Sequence, residues 1–552
     1  MLVSNLSQYK VNMRVLFIIP ARGGSKGIPR KNVRALAGKP LLQYSIENAL
    51  RCRFPADIYV SSEDDEILNL SSKLGAKTHL RNSSYSGDAI TLDEVIFNAY
   101  EEIKAIETND YEFIVTLQPT SPLLKTSSVD EALQQMIENP QVDTIISATN
   151  DTHLTWKKNE DGFYPNYTSR VNRQYLDPVY KETGGFLITR NSVIAATGRI
   201  GDNVELYELN AKQSIDIDTF EDWNLCEYHL KRKRMVFSVS GYSEIGLGHV
   251  YNTLILANEI LNHEVVFFCD SKSQLAHSKI TQNNYPCHIQ KTESLTAEVL
   301  ALQPDIVIND RLDSSSADIL PYKEKGVLVV NFEDLGEGAQ LADLVFNAIY
   351  PEKVQLDNHF FGPSYFCARD EFLLTSVKEL EEKVQNVLIT FGGVDPNNLT
   401  LKVLESIYTL CTENQIKIDV VAGLGYQGYQ DLKQFDGISV HKNVANISDY
   451  MQMADLAFTS AGRTTYELAL LGVPSIVMAQ NKREMTHVFA SDQFGFNNLG
   501  MGVDLSKEDI QASFVALLGS KQIRFNMREK MLSVDLRNGK NTIINLIKNL
   551  IA

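Results

Sequence analysis

The chain has 552 residues, enough for about three or four globular units at roughly 150 residues each. Hydrophobic residues make up 44%, charged residues 22% and aromatics 9%, which excludes a disordered, collagenous or coiled-coil chain. With 52 Lys+Arg against 69 Asp+Glu the net charge is −17, which argues against a broad nucleic-acid or anionic-membrane surface but leaves room for a local basic pocket. Six scattered cysteines without a C-x-x-C pair read as reduced thiols. The opening MLVSNLSQYKVNMRVLFIIPARGG carries no secretory signal, and no run of about 18 apolar residues follows, so a cytoplasmic protein is expected.

In the first part of the chain, strands are predicted at Val15–Ile19, Ile58–Ser61, Phe113–Leu117 and Thr144–Ala148, with a helix over Leu41–Leu50. Apolar strands alternating with amphipathic helices call for parallel sheets covered on both faces, an α/β fold. The first strand runs into ARGGSKGIPRKN, where Gly23, Gly24 and Gly27 let main-chain N–H groups approach an anion. Arg22, Lys26, Arg30 and Lys31 add four cations, about the opposite charge of a triphosphate. The loop is not a Walker A motif, and its formal match to the G-x-S-x-G nucleophile elbow lacks a histidine base and a carboxylate. Phosphate binding is the better reading.

After the strand at Phe113–Leu117, Gln118, Thr120 and Ser121 stand where a parallel strand opens into a loop, the usual ligand crevice, although an ordinary turn would look the same. Arg170 and Arg173, spaced i, i+3, offer guanidinium forks for a carboxylate, and Gly184–Gly185 permit close approach. In QSIDIDTFEDW, Asp216 and Asp218 point to one side of an extended segment and can share a Mg²⁺ ion; a helix N-cap at Asp218 or Thr219 is the competing reading.

The order PARGGSKGIPRKN, LQPTSPL, NRQ-x-x-x-PVY, DIDT over about residues 14–232 resembles the acylneuraminate cytidylyltransferases, which make CMP-activated nonulosonic acids from CTP. The resemblance implies that Arg22, Gly24, Ser25 and Lys26 hold the triphosphate, Arg22 and Lys26 acting in catalysis. It further implies that Asn32 and Arg81 contact the nucleoside, Gln118 the sugar and Arg173 its carboxylate, while Asp216 and Asp218 bind Mg²⁺. Tyr175 after Gln174, and Thr183-Gly184-Gly185, depart from the family's RQD and NGA.

A boundary is predicted at the KRKR run, Lys231–Arg234, which follows the helical stretch Glu221–Leu230 and reads as a solvated helix end better than as a localisation signal. Further strands are expected at Met235–Val239, Val265–Cys269, Ile306–Asn309, Val327–Asn331, Val387–Thr390, Ile418–Ala422, Leu456–Thr459 and Ser475–Met478, with a helix over Val250–Leu261. A softer boundary near Val377–Gln385 completes a division into 1–233, 234–380 and 381–552. His249 opens a helix after Gly246 and Gly248, where a neutral imidazole can serve as a base or simply bond locally. Gly392–Gly393 and Asp395–Asn398 form one strand-to-helix turn. Ser460, Gly462 and Thr464 form a second candidate phosphate nest, with Glu467 placed either for ribose hydroxyls or in a capping box with Thr464. Gly423–Gly428 matches G-x-G-x-x-G, but its surroundings read as a tight loop rather than a dinucleotide site.

GLGH, GPSYFCARDEF, FGGVDPNNLT and SAGRTTYELALLGVP resemble the UDP-sugar hydrolase of pseudaminic acid biosynthesis, a two-lobed GT-B-like family, over about residues 235–500. That resemblance implies His249 as base for a water attacking the anomeric carbon, and Gly248, Ser460, Gly462, Thr464 and Glu467 around the UDP-sugar. Asn252 stands where the family's G-x-G-H-x-x-R has arginine. The expected whole is a Rossmann-like nucleotidyltransferase followed by a GT-B-like domain. Its partners would be CTP, a nonulosonic acid and a UDP-sugar in a homo-oligomer, with no nucleic acid and no membrane. A non-catalytic nucleotide-sugar-binding module or a glycosyltransferase remains the alternative for the second half.

Overall fold

The computed structural model describes residues 14–25, 27–87, 90–107, 109–242, 245–352, 356–423, 425–442 and 444–551. The chain divides into two compact units between Arg232 and Lys233, inside the KRKR run. Among the described residues no helix is long and apolar enough to cross a membrane.

The first unit is built on a seven-stranded sheet in the order Val204–Glu208, Thr144–Asn150, Tyr180–Arg190, Phe113–Leu117, Val15–Pro20, Ala56–Ser62, Lys77–Leu80. Residues 15–19 are wholly buried, as expected of a central strand covered by helices on both faces. The sheet is parallel except for Tyr180–Arg190, which runs antiparallel to both neighbours and slips register between Glu182 and Leu187. That irregularity falls on Thr183-Gly184-Gly185, where an extra backbone excursion re-aims the chain. Helix Leu41–Leu50 forms as predicted, with Leu41, Leu42, Ile46 and Ala49 on its buried face.

The second unit holds two all-parallel sheets. One runs Cys287–Ile289, Glu264–Cys269, Arg234–Val239, Ile306–Asp310, Leu328–Phe332, Leu344–Asn347, His359–Phe361. The other runs Ser439–Lys442, Lys417–Ala422, Asn386–Thr390, Leu456–Thr459, Ser475–Ala479, Phe496–Met501. The seam between the lobes is a stack of rings: Phe366 lies 4.4 Å from Tyr466, which lies 4.0 Å from Phe489. Tyr466 also donates its hydroxyl to the Ala348 carbonyl. The last helix, Gly539–Ile551, departs from the 381–552 division: Ile543, Ile544 and Ile547 sit in the core of the first lobe with Phe237, Phe267 and Ile308.

All three sheets share one layout. The first strand of each lies inside the sheet, with the chain continuing to one side and then the other, and the loops on either side of that reversal form the crevice where such sheets take ligands. The glycine loop, the turn with Gln118, the GLGH loop and the loops at Gly392–Gly393 and Ser460–Thr464 fall at those points.

Candidate functional site

In the first unit the glycine loop leaves the strand Val15–Pro20. Gly23 N–H donates to Glu63 Oε1 at 2.8 Å, and Glu63 Oε2 lies 3.7 Å from Arg81 Nη1. Arg81 is buried and fixed by donation to the Ser61 carbonyl at 2.6 Å; burial lowers its pKa from the usual arginine range. Asn32, expected at the nucleoside, is buried and donates to the Arg22 carbonyl at 2.9 Å, so its amide braces the loop. Gly27 is required by space, since a β-carbon there would sit 2.3 Å from the Asp218 carbonyl oxygen. Gly24 and Arg22 are exposed, and nothing lies within 4 Å of where a Gly24 β-carbon would be. Ser25 is half-buried beside them, and Lys26 lies outside the described residues.

Two of the four cations have partners within the protein. Arg30 pairs with Asp64 and Glu66, and Lys31 donates to the Ile217 carbonyl at 2.6 Å with Asp218 Oδ1 at 3.4 Å. Both charges are committed to protein acceptors.

Asp216 and Asp218 flank Ile217, which is fully buried among Ile28, Leu36, Leu41, Leu123 and Trp223. Ile217 N–H donates to the Thr120 carbonyl at 2.8 Å, laying the segment against the turn that carries Gln118. The N-cap of helix Phe220–Lys231 is Thr219, in a capping box with Asp222, so neither Asp216 nor Asp218 is used as a cap. Asp216 Oδ1 is buried without a hydrogen-bond partner, as are Thr120 Oγ1 and Ser121 Oγ. Burial raises the Asp216 carboxyl above the ordinary carboxylate range, outweighing the opposing pull of the Thr120 hydroxyl and the Lys31 charge. A β-carbon on Gly184 would lie 2.9 Å from that Oδ1. An orphaned carboxylate oxygen, a second carboxylate two residues on and a glycine leaving space beside them suit a hard divalent cation. No group of three or more His, Cys, Asp or Glu that could hold a metal occurs among the described residues, so phosphate oxygens and water would complete the shell of such an ion. Gln118 is half-buried, its carbonyl accepting from Ser45 Oγ at 3.2 Å. Arg173 lies in the turn Arg173–Tyr175 on an exposed stretch and is not drawn into these contacts.

In the second unit, His249 Nδ1 lies 2.6 Å from Asp310 Oδ1. Asp310 is fully buried at the end of strand Ile306–Asp310, beside the strand that leads to the GLGH loop. With Nδ1–H donating to that carboxylate, Nε2 keeps its lone pair, the arrangement of an oriented general base. Sequence reading missed Asp310, whose signal was an acid closing a buried apolar strand. Asn252 donates to the other oxygen, Asp310 Oδ2, at 2.6 Å and accepts at its own carbonyl from Arg463 Nη2 at 2.8 Å. Arg463 comes from the second lobe, stacks 4.8 Å from the Phe366 ring and lies 3.6 Å from the buried Glu333. Gly248 faces it: a β-carbon there would touch Arg463 Cδ at 3.2 Å.

Of the two readings of Glu467, the capping box is the one the structure removes. Its carboxylate accepts two bonds from Arg369, at 3.0 and 2.8 Å, and helix Thr464–Leu471 has no side-chain cap, so the capping box does not form. Ser460 is buried, and Gly462 and Thr464 are half-buried on the same loop. Glu484 stands beside that loop, accepting from Gln480 N–H, and burial pushes its carboxyl up to about 7. Asp395 is a cap, accepting from Leu399 and Thr400 N–H at 2.9 and 2.8 Å. The glycines of the G-x-G-x-x-G match serve packing: a β-carbon on Gly423 would meet Gly393 Cα at 2.5 Å, and Gly425 N–H donates to the Gly393 carbonyl.

Residues 16–215 match the cytidylyltransferase family. The chain is 32% identical over 222 residues to the pseudaminic acid cytidylyltransferase of Campylobacter jejuni, covering 38% of this chain and 93% of that protein. This chain belongs to the cytidylyltransferase family. The cytidylyltransferase unit accounts for less than half of its length. A Helicobacter pylori protein named pseudaminic acid cytidylyltransferase and UDP-2,4-diacetamido-2,4,6-trideoxy-beta-L-altropyranose hydrolase is 23% identical over 485 residues, 84% of this chain and 88% of that one. An uncharacterized protein of Methanocaldococcus jannaschii is 32% identical over 277 residues, 45% of this chain and 56% of its own length, so this cytidylyltransferase matches little more than half of that relative.

Proposed function

We propose that the first unit transfers a cytidylyl group from CTP to the anomeric hydroxyl of a nonulosonic acid of sialic, legionaminic or pseudaminic type, and that the second hydrolyses a UDP-sugar. The observation that carries this pairing is that similarity to one protein named for both activities runs through both units. In the first, the loop with the exposed Arg22 and Gly24 receives the triphosphate together with Ser25 and Lys26, and Asp216 and Asp218 hold Mg²⁺. The bound ion supplies charge neutralisation at the phosphates. The sugar hydroxyl oxygen forms a bond to the α-phosphorus and gives its proton to solvent water, while the bond to the β-phosphate oxygen breaks and pyrophosphate leaves with that electron pair. Such a transfer asks mainly for alignment and a cationic cradle, which the loop amides and Arg22, with Arg81 behind them, provide. Gln118, at the turn beside Asp216, is assigned to the sugar, and Arg173 to the sugar carboxylate.

In the second unit His249 Nε2 takes a proton from water, the water oxygen bonds to the anomeric carbon, and the bond from that carbon to the UDP oxygen breaks. Asp310 holds the ring and balances the imidazolium formed. This geometry favours hydrolysis over a binding module, since a binding site has no need of a base held by a buried carboxylate.

The test uses the full chain. With CTP, Mg²⁺ and a panel of nonulosonic acids, pyrophosphate is expected with at least one acid, and none with any of them overturns the first assignment. With UDP-diacetamido sugars and no acceptor, free UDP is expected. Tight binding without UDP would make the second unit a binding module, and release only after an acceptor is added would make it a glycosyltransferase.

A further inference from the structure

His249, Asp310 and Asn252 all belong to the first lobe of the second unit, yet the chain of hydrogen bonds through them ends on the other lobe, at Arg463. Asn252 is almost fully buried, and both ends of its amide are used: its N–H on Asp310, its carbonyl on the guanidinium. An amide satisfied in this way cannot flip without reversing a donor and an acceptor at once, so it transmits the position of one partner to the other. The guanidinium is itself held on three sides, by Asn252, by the Glu333 carboxylate and by the Phe366 ring. Glu333 in turn is anchored by Ala348 and Ile349 N–H, the backbone at which the two lobes meet.

We infer that Arg463 is a positioning residue that reaches across the lobe boundary and, through Asn252, holds Asp310 where it orients the His249 ring. The hydrolytic base is then set only when the lobes are seated together. The role rests on the hydrolase reading for its consequence in turnover, but its geometric content can be tested without it.

The experiment compares the full native chain with Arg463→Lys, Asn252→Leu and the double variant, each shown to keep the native circular dichroism and melting temperature to within a few degrees. A lysine cannot hold Asn252, Glu333 and the ring together, and leucine removes the amide without adding charge. Each single variant is expected to lower kcat for UDP release about 10²-fold, the cost of a misplaced catalytic group, with KM changed less than about threefold. The double variant should be no worse than either single one, because both break the same chain. A rise in KM at unchanged kcat would make Arg463 a direct substrate contact and overturn the role, as would additive losses. A second readout needs no turnover: in ¹⁵N-histidine spectra, with His249 assigned by its loss in His249→Gln, the ring is expected as the Nδ1–H tautomer in the native chain and as a mixture in both variants. An unchanged tautomer overturns the role. Absence of UDP release from the native chain would reject the hydrolase reading alone, and the spectra would still decide on positioning.

Discussion

The two candidate sites solve different electrostatic problems. In the cytidylyltransferase unit the groups meant for the triphosphate lie on an exposed loop, and nearby cations are already paired: Arg30 with Asp64 and Glu66, Lys31 with Asp218 and a carbonyl. In the second unit the half-buried His249 and Arg463 are joined by short bonds through the buried Asp310 and Asn252. On the function proposed above, the first site would be completed by the charge its ligand brings, while the second already has its polar chain assembled. A polyanionic ligand can help organise a solvated loop, whereas a neutral water gives its base no such help, so the base must be oriented by the protein.

That contrast can be broken at several points. The largest effect is expected from Asp216→Ala combined with Asp218→Ala: about a 10³-fold loss of pyrophosphate release in saturating Mg²⁺, with UDP release unchanged. Residual activity near native would remove the metal assignment. Asp310→Asn keeps the shape of the second site but removes the charge behind His249; UDP release should fall about 10²-fold while pyrophosphate release survives. Gly27→Ala should raise the KM for CTP about tenfold, because its β-carbon collides with the Asp218 carbonyl, and a KM unchanged in steady-state assays would show that the loop tolerates the shift.

Burial pushes the Glu333 carboxyl up to about 7 from an ordinary 4.5, so between those values the folded state binds more protons than the unfolded one. Stability of the second unit should therefore fall by roughly 1–3 kcal/mol as pH rises from about 4.5 to 7, read by calorimetry as a declining melting temperature. A midpoint that climbs over that range would contradict the buried acid. Least of all should be felt from Arg30→Gln: its pair is exposed and screened by water, and CTP use should stay within about threefold if this cation is committed to protein carboxylates.

Much of the fold could be read from local pattern. Every predicted strand exists, because each is a short apolar run buried on both faces; the shift from Val327–Asn331 to Leu328–Phe332 is typical of the differences. The antiparallel strand Tyr180–Arg190 escaped notice, since its first half is exposed and polar and a bulge interrupts its alternation. Candidate site residues could be picked out where chemistry and spacing coincide, as in the glycine loop, Asp216-x-Asp218 and His249. They were illegible where partners are far apart in the chain. Asp310 lies 61 positions from His249, and Arg463 lies 211 from Asn252, so no local motif links them. The same distance explains the misreadings. Thr464-x-x-Glu467 looks like a cap until Arg369, 98 residues earlier, claims the carboxylate. Nothing in the local sequence around Arg30 and Lys31 announces the carboxylates that other elements bring beside them.

The helix Gly539–Ile551 supplies Ile543, Ile544 and Ile547 to a core otherwise made from residues before 368. During synthesis that core waits for its lid while the whole second lobe emerges, roughly 10–40 s at ribosomal rates of 5–20 residues per second. Until then the nascent lobe carries an open apolar face, a natural landing place for a chaperone. Trimming the chain after the second sheet would leave that face permanently bare.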